Sequence, residues 1–184
     1  MIRNILIILS LILTLTAAAQ TDVTTFMNVP VNGTRTSMVR KLLKAGLKKA
    51  GKDLLLEDVD GKSFIVTLQT NGKEVCRVTM TPTRGTGDVF LAVQMYNTLI
   101  ECYRRDCGYC EKEYNREALM ADSLNWKRYI KQGMYYAEFF QAADPQMYVK
   151  RVSFRLTEKN GEYCIERRYD NIYKIPNNNQ ITIK

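Results

Sequence analysis

Histidine does not occur anywhere in the 184 residues. Its absence removes the Ser-His and Cys-His pairs that activate nucleophiles. It also removes the commonest general base and the commonest zinc ligand. Carboxylate chemistry stays open, but no pair of acids stands out along the chain. A second apolar run is lacking as well, so no membrane-spanning segment is expected after the first twenty residues, since spanning takes about 20 apolar positions. No Cys lies near Ala19, which leaves a lipid anchor at that point without support.

What the chain does have begins at its first residues. Arg3 supplies a positive start, Ile5 to Leu15 is apolar apart from Ser10 and Thr14, and Ala17-Ala18-Ala19 offers a small-x-small cleavage site. That order is the secretory signature. Residues 1–19 therefore read as a signal peptide with Gln20 as the first mature residue, and the expected address is the periplasm or the extracellular space. Cleavage leaves 165 residues, enough for one domain with a hydrophobic core.

Net charge is +8, falling to +7 once Arg3 is removed. Such a balance attracts anions, but an exported protein seldom meets nucleic acid, so no nucleic-acid partner is expected and an unknown protein or glycan of the cell envelope takes its place. The five cysteines are Cys76, Cys102, Cys107, Cys110 and Cys164. An odd count in a disulfide-permissive compartment leaves at least one thiol free, paired between chains or modified.

Periodicity divides the remainder. Phe26, Val29 and Val31 form a lead-in that tucks onto the core, and Asn32-Gly33 turns the chain. Thr34 or Thr36 caps a helix expected to run to about Lys49, with Val39, Leu42, Leu43 and Gly46 on its apolar stripe. Three strand-like runs follow: Leu54–Val59, Ser63–Thr70 and Lys73–Thr81, joined at Asp60-Gly61 and Asn71-Gly72. Such dipeptides favour type I′ hairpins, whose central residues both need positive φ. Asp88 opens a second helix to about Arg105, and Ser123 starts a short helical piece to Ile130. Strands are expected over Met134–Gln141, Met147–Thr157 and, after Asn160-Gly161, Glu162–Asp170. The fold class is thus α+β: antiparallel β-meanders packed on two main helices, in two coarse α-β-β-β halves. The single domain covers residues 20–175, and residues 176–184 form an Asn-rich flexible tail.

Several phrases together resemble a family. Phe26-Met27-Asn28-Val29-Pro30-Val31-Asn32-Gly33-Thr34, then Met38-Val39 and Lys41-Leu42, look like the opening of small exported proteins of gut Bacteroidales. Tyr135 to Phe140 and Gly161 to Asn171 look like later parts of the same family. Asn28 departs from it, since Gly is usual there. The resemblance implies an exported α+β protein with no assigned activity, and it carries no site residues.

Cys107-Gly108-Tyr109-Cys110 is the sharpest local motif. It looks like the active site of periplasmic disulfide isomerases, where the first Cys sits at a helix N-terminus and ionises readily. Pro145 loosely matches the proline that faces such a motif. The residues before Cys107 read as helix rather than strand, however, so redox catalysis by Cys107 and Cys110 is the alternative and not the main reading. Cys102, Cys107 and Cys110 also match an iron–sulfur spacing, for which Cys76 or Cys164 would have to be the fourth ligand. Neither this cluster nor a zinc site is expected. The basic stretch Arg40–Lys52 and the aromatics Tyr135, Tyr136, Phe139 and Phe140 are candidate contact surfaces, with at least half of those rings expected in the core. Arg167 alternates onto the face of Ile165 and Tyr169, so a charge points with core residues and needs a partner, Glu138 or Glu162.

The main expectation is a non-enzymatic exported binding module with no cofactor and no metal. A direct check is N-terminal sequencing of the protein recovered outside the inner membrane of an expressing bacterium. The expected first residue is Gln20, and Arg3→Glu should leave uncleaved precursor in the cells.

Overall fold

The computed structural model describes residues 23–57, 62–111, 113, 115–141, 150–172 and 175. The expected signal peptide and the tail after Pro176 lie outside these residues, as do Asp60-Gly61 and Pro145.

The chain starts with a small hairpin of β1 (Thr25–Phe26) and β2 (Val29–Pro30). Its two turn residues are Met27 at φ 51° and Asn28 at φ 59°. Asn tolerates the left-handed region better than most residues. The hairpin is missing from the periodicity because each strand has only two residues.

Helix α1 spans Arg35–Lys44, capped by the Thr34 side chain, which accepts from the Ser37 N–H at 3.3 Å. It stops five residues before the expected end at Lys49. Gly46 is not part of the apolar stripe: its φ of 105° reverses the chain, its N–H donates to Leu43 O, and the Leu47 N–H donates to Leu42 O. This pair of bonds is a Schellman stop, closed by the buried Leu42 and Leu47. The residues read as the last helical turn instead form β3 (Lys48–Ala50).

Strands β4 (Asp53–Glu57), β5 (Ser63–Asn71) and β6 (Glu74–Pro82) complete the first meander. Asn71 pairs with Glu74, so Gly72-Lys73 is the loop, and only Gly72 has positive φ. A bulge between Gln69 and Thr70 shifts the turn by one residue from the expected Asn71-Gly72 centre. Helix α2 (Val89–Arg105) follows, capped by Asp88, whose carboxylate accepts from the Phe90 N–H at 2.8 Å. Then come β7 (Tyr109–Glu111), a 3-10 turn over Met120–Asn125 and α3 (Trp126–Lys131). Strands β8 (Tyr136–Gln141), β9 (Lys150–Lys159) and β10 (Glu162–Asn171) finish the fold. At the last hairpin Asn160 and Gly161 have φ of 54° and 80°, the expected I′ arrangement.

All strands from β3 onward form one antiparallel sheet of order β3-β4-β5-β6-β10-β9-β8-β7. Each half contributes four strands, one more than expected; in the second half the 3-10 turn and α3 lie between β7 and β8. The extra strands, β3 and β7, have three residues each and form the two edges of the sheet. The halves meet where β6 pairs with β10.

Alternation puts Val66, Val78, Tyr169, Val152, Phe154 and Phe139 on the face toward the helices. Two apolar clusters sit there. One holds Met38, Leu42, Val66, Val78 and Val152 under α1; the other holds Tyr96, Ile100, Trp126, Phe139 and Leu156 under α2 and α3. Tyr103 packs against both clusters, with ring-centre distances of 4.5 Å to Tyr109, 5.2 Å to Phe139 and 5.3 Å to Phe154. Of the four aromatics proposed as a surface, Tyr135, Phe139 and Phe140 are buried, and only Tyr136 is partly exposed.

On the opposite face, the join between halves carries Arg77 of β6, Asp170 of β10 and Arg151 of β9, directly opposite one another in register. Asp170 has a side-chain exposure of 2% and accepts from both guanidiniums: Arg77 Nε at 2.5 Å, Arg151 Nη2 at 2.7 Å and Arg151 Nε at 3.0 Å. One buried carboxylate thus neutralises a cation from each half. Removing it leaves Arg77 without its acid and Arg151 with only Glu138 at 3.6 Å, which costs about 3 kcal/mol at the lower end for a broken buried pair. Asp170→Ala should therefore lower the thermal midpoint by about 10 °C in a calorimetric scan.

Candidate functional site

The cysteine motif sits where helix α2 gives way to β7. Asp106 is the C-cap of α2, its carboxylate accepts from the Gly108 N–H at 2.8 Å, and its carbonyl accepts from the Tyr109 N–H at 3.0 Å. Cys107 is exposed in this turn, and Cys110 lies partly buried on the edge strand, with its thiol 3.6 Å from Phe140 O. The five cysteines are all free thiols. Cys107 follows the C-terminal end of a helix, the negative end of its dipole, and the motif leads into strand β7, not into a helix. That is the reverse of the placement that favours a thiolate in a redox motif.

The ground around the motif is held by charge. Arg104 donates to Glu111 at 3.1 Å, to Glu101 at 2.9 Å and to Glu117, and it also reaches Asn115 O at 3.0 Å. Asn115 takes the next rung beyond β7: its amide accepts from the Glu138 N–H at 2.8 Å and donates to Glu138 O at 3.0 Å. These groups consume one another and fix the loop to the sheet. The remaining three thiols are elsewhere: Cys102 exposed on α2, Cys76 on β6 and Cys164 on β10. Among the described residues no three of Cys, Asp or Glu converge as a ligand set.

Two concavities of ligand size lie among the described residues. The smaller, about 310 Å³, lies against the β1–β2 hairpin. The larger lies on the helix side, at the far end of the sheet, and is a cleft of about 580 Å³ between the start of α2, the start of β5, the end of β6 and the start of β10. Small-molecule sites fall at roughly 300–1,000 Å³. Phe64, Met95, Leu156 and Ile165 give it apolar walls, while Lys62, Arg84 and Arg167 give it positive charge. Among the described residues no acidic side chain lines it.

The segment Pro82–Gly87, between β6 and α2, forms one rim of the cleft. Thr86 and Tyr163 exchange backbone hydrogen bonds of 2.9 and 2.7 Å, pinning the loop to β10. Gly85 is required at the crossing: a Cβ there would lie 2.6 Å from Tyr163 O and 2.9 Å from Glu162 Cβ. The Gly85 N–H donates to Glu162 at 3.0 Å.

Arg167 occupies the core face as its alternation implied, opposite Met80 and Phe154. The partner expected from the sequence is not there. Glu138 lies on the other face with Arg151 and Tyr136, and Glu162 binds the Gly85 amide. The Arg167 guanidinium instead stands 5.8 Å from the centre of the Phe64 ring, and its Nε is buried without a hydrogen-bond partner. A cation–π contact offsets part of the desolvation of this charge, but it leaves the N–H unsatisfied. Arg167 was legible from alternation. Lys62, Arg84 and Gly85 were not, because a loop rim leaves no periodic trace.

No protein-family model, no curated protein and no solved structure matches this chain.

On the opposite face, Tyr136 donates to Glu138 Oε2 at 2.7 Å beneath the Arg155 guanidinium, 5.6 Å from its ring centre. Burial, reinforced by the Glu138 charge, pushes the Tyr136 hydroxyl up from 10.0 to about 12. Tyr96 and Tyr103 are pushed up further, chiefly by burial. A raised folded value means that the native state favours the neutral phenol. The associated stability is complete below pH about 10 and is lost as pH rises toward 12. Spectrophotometric titration should show Tyr96, Tyr103 and Tyr136 ionising only well above pH 10, in a step that coincides with loss of the circular dichroism signal.

Proposed function

We propose that the protein is an exported, non-enzymatic binding module that takes a ligand of the cell envelope in the cleft between α2, the Pro82–Gly87 loop and β10. The observation that carries this reading is the composition of that cleft among the described residues: apolar walls, three cationic side chains and no acid. Guanidinium and ammonium groups keep their charge through the neutral range, so they attract and orient a ligand without exchanging protons with it. The chain contains no histidine to supply a general base. The leader-like residues 1–19 and the resemblance to exported Bacteroidales proteins support the address.

The experiment is fluorescence of N-phenylnaphthylamine, a neutral apolar probe that brightens when it leaves water. Wild-type protein should bind it saturably. Met95 is 45% exposed on α2 and lines the cleft, so Met95→Trp fills the space without touching the core. This variant should weaken probe binding by about tenfold with an unchanged thermal midpoint. Equal binding by wild type and variant would remove the cleft as the site.

A further inference from the structure

We infer that the cleft takes a single-chain amphipathic carboxylate, a medium-chain fatty acid, with its headgroup on Arg167 and its tail along α2. The inference rests on the binding reading above and adds the chemistry of the ligand.

The argument starts with Arg167. It lines the cleft with no acid among the described residues paired to it; its Nε is buried without a partner, so the Nη edge of the guanidinium is what the cleft presents to a ligand. Most such donors in folded proteins have a partner, and both acids expected to serve are engaged elsewhere. A carboxylate matches the planar guanidinium with two parallel N–H···O bonds, a geometry that an isolated halide or a neutral hydroxyl does not fill. Arg84 and Lys62 stand on the rim and reinforce the negative preference. The loop that carries Arg84 is held in place by the Thr86–Tyr163 bonds.

The tail follows from the walls. From Arg167 the lining continues through Ile165 and Leu156 to Ala92 and Met95 on α2. Met is adaptable, and Met95 is substantially exposed, so the apolar surface runs out of the cleft and does not end in a closed floor. A glycan needs a dense set of donors and acceptors along its length; this wall offers aliphatic carbon instead. Phe90 and Leu91, 42% and 45% exposed, stand near the start of the same helix, on the turn before Met95. Neither lines the cleft, and Phe90 packs toward Trp126 at 6.1 Å, so the exposed apolar wall rests on Met95.

The test compares decanoate with decanol as competitors of the neutral probe, at low and high salt. Decanoate should bind at least about tenfold tighter than decanol at low salt, with the gap narrowing as salt rises. Arg167→Gln should cut decanoate affinity by about tenfold or more and leave decanol unchanged, a split that a merely structural role of Arg167 would not produce. Arg84→Gln, at an exposed loop position, should shift decanoate selectively in the same direction and stands in if the first variant does not fold. Equal affinity for the two competitors would overturn the carboxylate assignment while leaving the cleft as a binding site. Failure of both to displace a probe that Met95→Trp does weaken would overturn the fatty-acid assignment alone. A probe indifferent to Met95→Trp would remove the binding reading with it.

Discussion

The buried Asp170 carboxylate between Arg77 and Arg151 is the constraint around which the two halves are arranged. Each half alone is a helix on a four-stranded meander, with a cluster of apolar residues too small to stand by itself in water. Joining them makes β6 and β10 central strands, and central strands face both layers. On the helix face that is favourable, because Val78 and Tyr169 sit in the core. On the other face the same register brings three charged residues into line, and only a buried carboxylate between two cations makes this tolerable. The lead-in is tied to the same place. Thr24 donates to Asp170 O, Asn171 donates to Val31 O at 3.1 Å, and the Gln141 amide exchanges bonds with Thr25, each 2.8 Å. The first described residues therefore close over the join.

Much of this architecture was legible because it rests on local signals. Asp88 capped its helix where expected, and Asn160-Gly161 turned its hairpin where expected. The long strands kept their alternation. The misreadings share one cause. Lys48–Ala50 and Tyr109–Glu111 are three-residue strands that exist because a neighbour is there to pair with, and a run that short has no period. The Gly46 stop was misread because a glycine at helical spacing looks the same whether it continues a stripe or terminates it. Only the carbonyl partners distinguish the two. The cleft was least legible, since its walls come from four separate segments brought together by the sheet.

Two arginines show how one residue type takes opposite roles in one sheet. Arg151 is raised above its ordinary value: burial works against its charge, and the Asp170 carboxylate more than offsets that. Its bonds are filled from within the fold. Arg167, on the other face of the neighbouring strand, keeps an unfilled donor beside a cleft. The first charge is structural because its counter-ion is part of the chain; the second is free to select one from outside.

The three-residue edge strands have a consequence for how the molecule meets other chains. An open edge is a template: unpaired amides and carbonyls recruit any extended segment that passes, including another copy. Here one rim is short and carries Lys48 and Lys49, whose charges repel a docking strand. On the other side the Asn115 amide occupies the rung next to Glu138. A wide sheet of eight strands thus ends in borders that offer little to copy, and recognition is directed away from backbone pairing toward side chains.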